Sequence, residues 1–291
     1  MARKSKKTRS FLLPLLWVLL VVSSVLFLQI KSQIHSEVIT RESSSSTILT
    51  SPSPSPKPLS IPVNYGRSVN VPILTYHYIG LNPNIEDLAR DNLSVAPDKF
   101  EEQLSYLSQK GYNPISLDTL YAGLYGKSPL PTKPIILTFD DGYIDFYVNA
   151  FPLLHKFNFH TVSFIPTGLI GQGYYMSWSQ IREIDSTGLV SFQAHSVQHP
   201  NLTILSDPDL RRELTESKKT LEANLGKPVN FFAYPYGASD SRVWAAAKNA
   251  GFLGAVGTWA STIESEGTIF DMPRLKISGS MDMKNFSVLL P

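Results

Sequence analysis

The sequence contains no cysteine among its 291 residues. That excludes disulfide bonds and thiolate metal sites together, so any bound metal must be held by histidine, aspartate or glutamate. Charge is sparse as well: Asp, Glu, Lys and Arg make up 17% of the chain, and the formal net charge is only +2. Even that excess is local, because Arg3, Lys4, Lys6, Lys7 and Arg9 all fall in the first ten residues. No basic stripe continues into the remainder, which argues against nucleic acid as a partner. No internal repeat is visible.

What is present begins with a three-part N-terminal arm. Residues 1–10 are basic, residues 11–30 are almost unbrokenly apolar, and residues 31–70 form a linker centred on the Ser-Pro alternation from Ser51 to Pro56. About twenty apolar residues suffice for a transmembrane helix, and the basic cluster before them orients the N-terminus to the cytoplasm. The length of the run favours an uncleaved signal anchor over a cleaved signal peptide, for which Val22-Ser23-Ser24 is the nearest cleavage site. Alternating proline prevents both helix and sheet, so the linker reads as a disordered, extended spacer. The expectation is a single-pass cell-membrane protein with residues 71–291 outside the cytoplasm, or a secreted one if the anchor is cut.

Residues 71–291 alternate between strand and helix patterns. Strands are expected at 71–79, 112–115, 134–139, 161–165, 189–194, 230–234, 252–256 and 275–277, with helices at 97–110, 118–125, 146–157, 177–187, 207–225 and 239–250. The helix at 207–225 is the clearest: Asp207 is the expected N-cap, Pro208 takes the first position and Gly226 lies past the end. Such alternation implies an α/β fold in one domain with a largely parallel sheet, open or closed into a barrel. In either form, functional residues gather at the C-terminal ends of the strands.

Three strand ends carry chemistry. Residues 135–139 lead straight into Asp140-Asp141-Gly142. This run also makes an ordinary solvated turn, but adjacent like charges cost energy unless a cation or uneven protonation relieves them. His195 and His199 follow the strand at 189–194, and two imidazoles four residues apart can converge on one ion. With one carboxylate they form a two-His, one-carboxylate site with open positions for water and substrate. An isolated pair at this spacing is more often structural. It gains weight here because the chain has only six histidines and the paired aspartates need a cation. Tyr234-Pro235-Tyr236-Gly237 ends a third strand, offering a rigid turn, a backbone N–H at Tyr236 and aromatic faces suited to sugar rings. On the first strand, His77 would by itself pass for a core residue. The mixed charges from Arg211 to Lys219 read as a solvated helix face.

Taken in order, the Thr-Phe-Asp-Asp-Gly, His-Ser-x-x-His and Tyr-Pro-Tyr-Gly runs resemble the motifs of the polysaccharide deacetylase family, the NodB-homology domain of carbohydrate esterase family 4. The resemblance spans residues 71–280 and is nearest to the permuted subgroup that deacetylates poly-N-acetylglucosamine. It implies a distorted (β/α) barrel and a metal-dependent hydrolase. The acetyl groups removed would belong to an N-acetylhexosamine polymer such as poly-N-acetylglucosamine, peptidoglycan or a chitin-like chain. Carried across, the resemblance makes Asp141, His195 and His199 metal ligands, Asp140 the general base and the Tyr236 N–H the oxyanion donor. The ion would be divalent, zinc foremost, with cobalt, nickel or iron(II) as alternatives.

Two parts of the family pattern are missing: a late Leu-x-x-x-x-His acid, and an Arg before the Pro-Tyr turn, where Ala233 stands. His77 resembles the N-terminal histidine of the permuted subgroup and is the expected acid. Arg274 is expected to replace the missing Arg, and Asp271 to orient His77. These gaps leave a non-catalytic glycan-binding module as an alternative, and the shared site chemistry leaves an O-acetyl xylan esterase as another. The sequence says nothing of oligomeric state.

Overall fold

The computed structural model describes residues 66–84 and 86–291. The expected anchor at 11–30 and most of the linker at 31–70 lie outside these residues. Seven strands form the frame: β1 (Ile73–Tyr76), β2 (Pro134–Phe139), β3 (Thr161–Ile165), β4 (Val190–Ala194), β5 (Phe231–Ala233), β6 (Gly254–Val256) and β7 (Leu275–Lys276). Every neighbouring pair is parallel, in the order β6-β5-β4-β3-β2-β1-β7. The sheet curls strongly. Met272 bridges Val256 on β6, whereas Leu275, three residues on, pairs with Leu74 on β1. One short segment, residues 272–276, therefore touches both ends of the sheet.

Helices pack on both faces: α1 (Pro97–Gln109), α2 (Leu117–Leu124), α3 (Phe151–Phe157), α4 (Trp178–Asp185), α5 (Asp207–Leu225) and α6 (Ser241–Asn249), all but α2 on the outside. The period-two alternation of a strand sorts the side chains into two cores. Ile73, Ile136, Val162, Phe231 and Val256 point into the curl, where α2 adds Leu117, Leu120 and Leu124. Leu74, Leu137 and Ala255 point outward, under Phe100 and Leu104 of α1, Leu214 of α5 and Val243 of α6. Strands buried on both faces read as continuous apolar runs, which is why they were visible from sequence. No helix among the described residues is long and apolar enough to cross a membrane.

Local details depart from expectation for identifiable reasons. Ser68–Asn70, assigned to the linker, is a strand paired antiparallel with Ile263–Ser265, a partner nearly two hundred residues away that no local pattern announces. The strand expected at 71–79 stops at Tyr76, and Tyr78–Ile79 turns to pair with Ser94–Val95, so His77 sits at the break. Pro152 has no N–H to give to the preceding turn, and Phe146–Ala150 opens into a π turn before α3 begins. The N-cap of α5 is Ser206, not Asp207: the Ser206 hydroxyl accepts from the Asp209 N–H, and Asp207 lies inside the first turn.

Candidate active site

The named site residues other than Arg274 sit where the parallel strands end. Asp140 and Asp141 follow β2, His195 follows β4, and Tyr236 lies in the 3-10 turn after β5. His77 follows β1 and Arg274 directly precedes β7. They line a common cleft of about 610 Å³. The backbone is bent sharply to aim them: Asp141, Ser196, His199 and Tyr236 have φ of 72°, 66°, 57° and 60°. Left-handed conformations cost non-glycine residues roughly 1–3 kcal/mol each and persist where surrounding contacts enforce them. Gly142 shows one such constraint. Its φ is +71°, and a Cβ there would lie 2.7 Å from the Ile165 side chain, so glycine turns the chain behind the two aspartates without strain or displacement of Ile165.

Asp141, His195 and His199 converge. Asp141 Oδ1 is 3.4 Å from His195 Nε2 and 3.2 Å from His199 Nε2, and the two Nε2 atoms are 3.2 Å apart. Three donors each about 2.0–2.2 Å from one ion would stand roughly 3–3.5 Å from each other, so the residues fit a divalent metal. The His195 tautomer agrees: Nδ1 lies 2.7 Å from the Ala233 carbonyl, which can only accept. Nδ1 therefore carries the proton, and Nε2 can turn a lone pair to the site. Burial would push the Asp141 carboxyl up, but hydrogen bonds from both imidazoles hold it well below the usual carboxylate range. Asp141 thus demands positive charge from this side, as imidazole protons or as the metal ion that displaces them.

Asp140 faces a different partner. Arg274 Nη1 and Nη2 donate to Asp140 Oδ1 and Oδ2, each at 2.8 Å, forming a fork with both side chains almost fully buried. The guanidinium is itself fixed: Nε donates to the Gly257 carbonyl and Nη1 also to the Thr138 hydroxyl. Burial alone would raise the Asp140 carboxyl, but the Arg274 charge and its hydrogen bonds keep it below the ordinary range. The adjacent aspartates therefore occupy unlike environments, Asp141 toward the imidazoles and Asp140 toward Arg274. The guanidinium comes from the closing segment, the position anticipated for the replacement of the Arg that Ala233 lacks.

His77 lines the same cleft, within the fields of Asp140 and Asp141, and burial outweighs those two charges to lower its pKa. Its Nδ1 has no hydrogen-bond partner among the described residues. The expected link from Asp271 is not made. The Asp271 carboxylate interacts with Ser239 and Trp259 instead, because residue 271 enters on the β6 side of the closing segment and His77 leaves on the β1 side. At Tyr236, the turn closes with bonds from Gly237 N–H to the Tyr234 carbonyl and from Ala238 N–H to the Pro235 carbonyl, neither of which uses the Tyr236 N–H. The exposed Tyr236 ring stands edge-on to His199 at 4.7 Å.

Some cleft residues were missed by sequence reasoning. Tyr143 and Tyr175 line the cleft, stacked at 5.3 Å, and Tyr78 stacks on Tyr143 at 3.9 Å. Their only sequence signal was the position of Tyr143 directly after Gly142. Glu213 was read as part of a solvated face but is buried, because it lies one turn along α5 from Leu210 on the side that packs inward.

Comparison with known proteins agrees with this geometry. The sequence profile of the family described as polysaccharide deacetylase matches residues 127–255. The structure superposes on the deacetylase PplD of Streptococcus pyogenes, solved in complex with acetate, with a TM-score of 0.71 and 31% identity. That match covers 77% of this chain and 99% of the other. A polysaccharide deacetylase from Bacillus cereus aligns with a TM-score of 0.69 and 27% identity, over 77% and 70% of the two chains. The poly-β-1,6-N-acetyl-D-glucosamine N-deacetylase of Staphylococcus aureus is 27% identical over 201 residues, covering 64% of this chain and 69% of its own. Motif order, curled parallel sheet and strand-end cleft thus lead to one assignment: the chain is a hydrolytic enzyme that belongs to the polysaccharide deacetylase family.

Proposed function

We propose that this enzyme removes N-acetyl groups from a polymer of N-acetylhexosamine, of the poly-N-acetylglucosamine type, outside the cytoplasm. The observation that carries the chemistry is the division of labour between adjacent carboxylates. Asp141 completes a His–His–Asp triad suited to a divalent ion, and Asp140 is held apart by Arg274 in the same cleft. The relatives named as poly-N-acetylglucosamine deacetylases support the substrate class. The outside location rests on the apolar run at 11–30 and the spacer after it.

In this reading Asp141, His195 and His199 hold the ion, with zinc as the expected metal. When bound, it would supply Lewis acidity to the acetyl carbonyl and lower the pKa of a water toward about 7. Asp140 takes the proton from the attacking water; the Arg274 fork keeps the carboxylate ionised and leaves a lone pair on each oxygen. The Tyr236 N–H donates to the oxyanion that develops on the acetyl carbonyl oxygen. His77 is the proton carrier to the departing sugar amine. With its pKa lowered, the imidazole rests neutral near neutral pH, so the proton it passes to the amine must reach it during turnover: the one Asp140 has taken from the attacking water, which also returns Asp140 to its ionised form.

Acetate release from a β-1,6-linked N-acetylglucosamine oligomer tests the proposal, with acetylxylan as the ester control. The expected result is release from the amide substrate, abolished by a chelator and restored by Zn²⁺ or Co²⁺. Release from acetylxylan alone, or release indifferent to chelation, would overturn it.

A further inference from the structure

The loop that carries His199 is short and held mainly from outside. Between the two histidines lie Ser196, Val197 and Gln198, and the left-handed turns at Ser196 and His199 direct the intervening N–H groups to one side. Successive N–H groups around a left-handed residue form a concavity that attracts an anion. Here the anion is internal. Oε2 of Glu213 accepts from the Val197 N–H at 2.8 Å and from the Gln198 N–H at 2.9 Å. Glu213 is 3% exposed, and its nearest cation, Arg212, is 3.9 Å from the other carboxylate oxygen, too far to hydrogen-bond.

The other edge of the loop is clamped by backbone. The Ser196 carbonyl accepts from the Thr167 N–H, and the Val197 carbonyl accepts from the Gly168 N–H. The Ser196 hydroxyl accepts from the His199 N–H at 2.9 Å. Glu213 thus supplies a charged side-chain anchor for the backbone of the segment, and α5 gives it a rigid base. A carboxylate buried by choice of position, with two main-chain donors aimed at a single oxygen, is costly to leave unpaired on either side.

We infer that Glu213 is a positioning residue for the metal triad: it holds the strained 195–199 loop so that His199 Nε2 meets Asp141 and His195 without reorganisation. The inference rests on the metal reading proposed above. Without Glu213, the two N–H groups must find water and the loop samples open forms. Bringing His199 back then draws on the binding free energy of the ion. Loss of such outer partners commonly weakens metal binding by about 10- to 100-fold.

The test is Zn²⁺ affinity of the full-length chain, measured by chelator competition, together with the visible absorption spectrum of the Co²⁺ form. Glu213→Ala is expected to bind Zn²⁺ about 10- to 100-fold more weakly and to show a Co²⁺ spectrum altered from the wild type. Glu213→Gln keeps an acceptor oxygen without the charge and should recover part of the affinity. That rescue separates positioning of the loop from a general packing defect. If the alanine variant fails to fold, the glutamine variant carries the test, with a several-fold loss expected. Wild-type affinity and an unchanged Co²⁺ spectrum in a folded variant would overturn the role of Glu213 and leave the metal reading intact. If the wild-type chain binds no ion, and His199→Ala changes nothing, the metal reading falls and this inference with it.

Discussion

At the scale of single residues, the site depends on what each carboxylate faces. Asp140 and Asp141 are neighbours in sequence, yet one is oriented toward Arg274 and the other toward two imidazoles. A buried carboxylate that loses its hydrogen-bonded cation is left charged in a low-dielectric setting, which typically costs about 3–5 kcal/mol. Arg274→Ala is therefore expected to lower unfolding stability by that order in urea titrations and to reduce acetate release sharply. Arg274→Lys should fall between, since it restores charge but not the two parallel bonds. Equal stability of the alanine variant and the wild type would refute the pairing. Asp141, His195 and His199 were legible because their residue types and strand-end positions are local features. Glu213 was not, because the charged residues around it on α5 hide the one that turns inward.

At the scale of elements, α5 does two separable things. Its N-terminus is capped by the Ser206 hydroxyl, and about two turns further in Glu213 anchors the metal-site loop. The cap touches nothing in the cleft. Ser206→Ala should therefore cost about 1 kcal/mol of stability, read as a lower urea midpoint, with kcat and KM for acetate release unchanged. A kinetic defect would show that the helix end and the site are coupled. Strand and helix order was readable from apolar runs and punctuating glycines, but the breaks were not. The first strand ends at Tyr76 because Tyr78–Ile79 finds a second partner in Ser94–Val95, and propensity alone cannot report a competing partner.

For the whole molecule, the least expected group is Glu264. It lies on the strand that pairs with Ser68–Asn70, opposite Val69, and both its carboxyl oxygens are buried without partners among the described residues. Burial pushes its pKa up from 4.5 to about 9. Between those values the folded chain keeps a proton that the unfolded chain has released, so stability falls as pH rises through the window. Glu264→Met, similar in size and apolar, should remove this dependence. Its advantage in melting temperature over the wild type should be small near pH 5 and grow toward pH 9. Parallel melting curves for the two proteins across that range would count against it.

Sequence by itself determined the parts that depend on neighbours in the chain. These are the apolar strands, the helix stops, the absence of thiol chemistry, and the placement of Asp, His and Tyr-Pro-Tyr-Gly runs at strand ends. Tertiary structure decided the parts that depend on closure. Arg274 meets Asp140 across a separation of 134 residues, and residues 272–276 reach both ends of the sheet. His77 enters the cleft without the Asp271 contact expected for it. Those relations have no period and no local signature, because they are created only when a curled parallel sheet brings its first and last strands together.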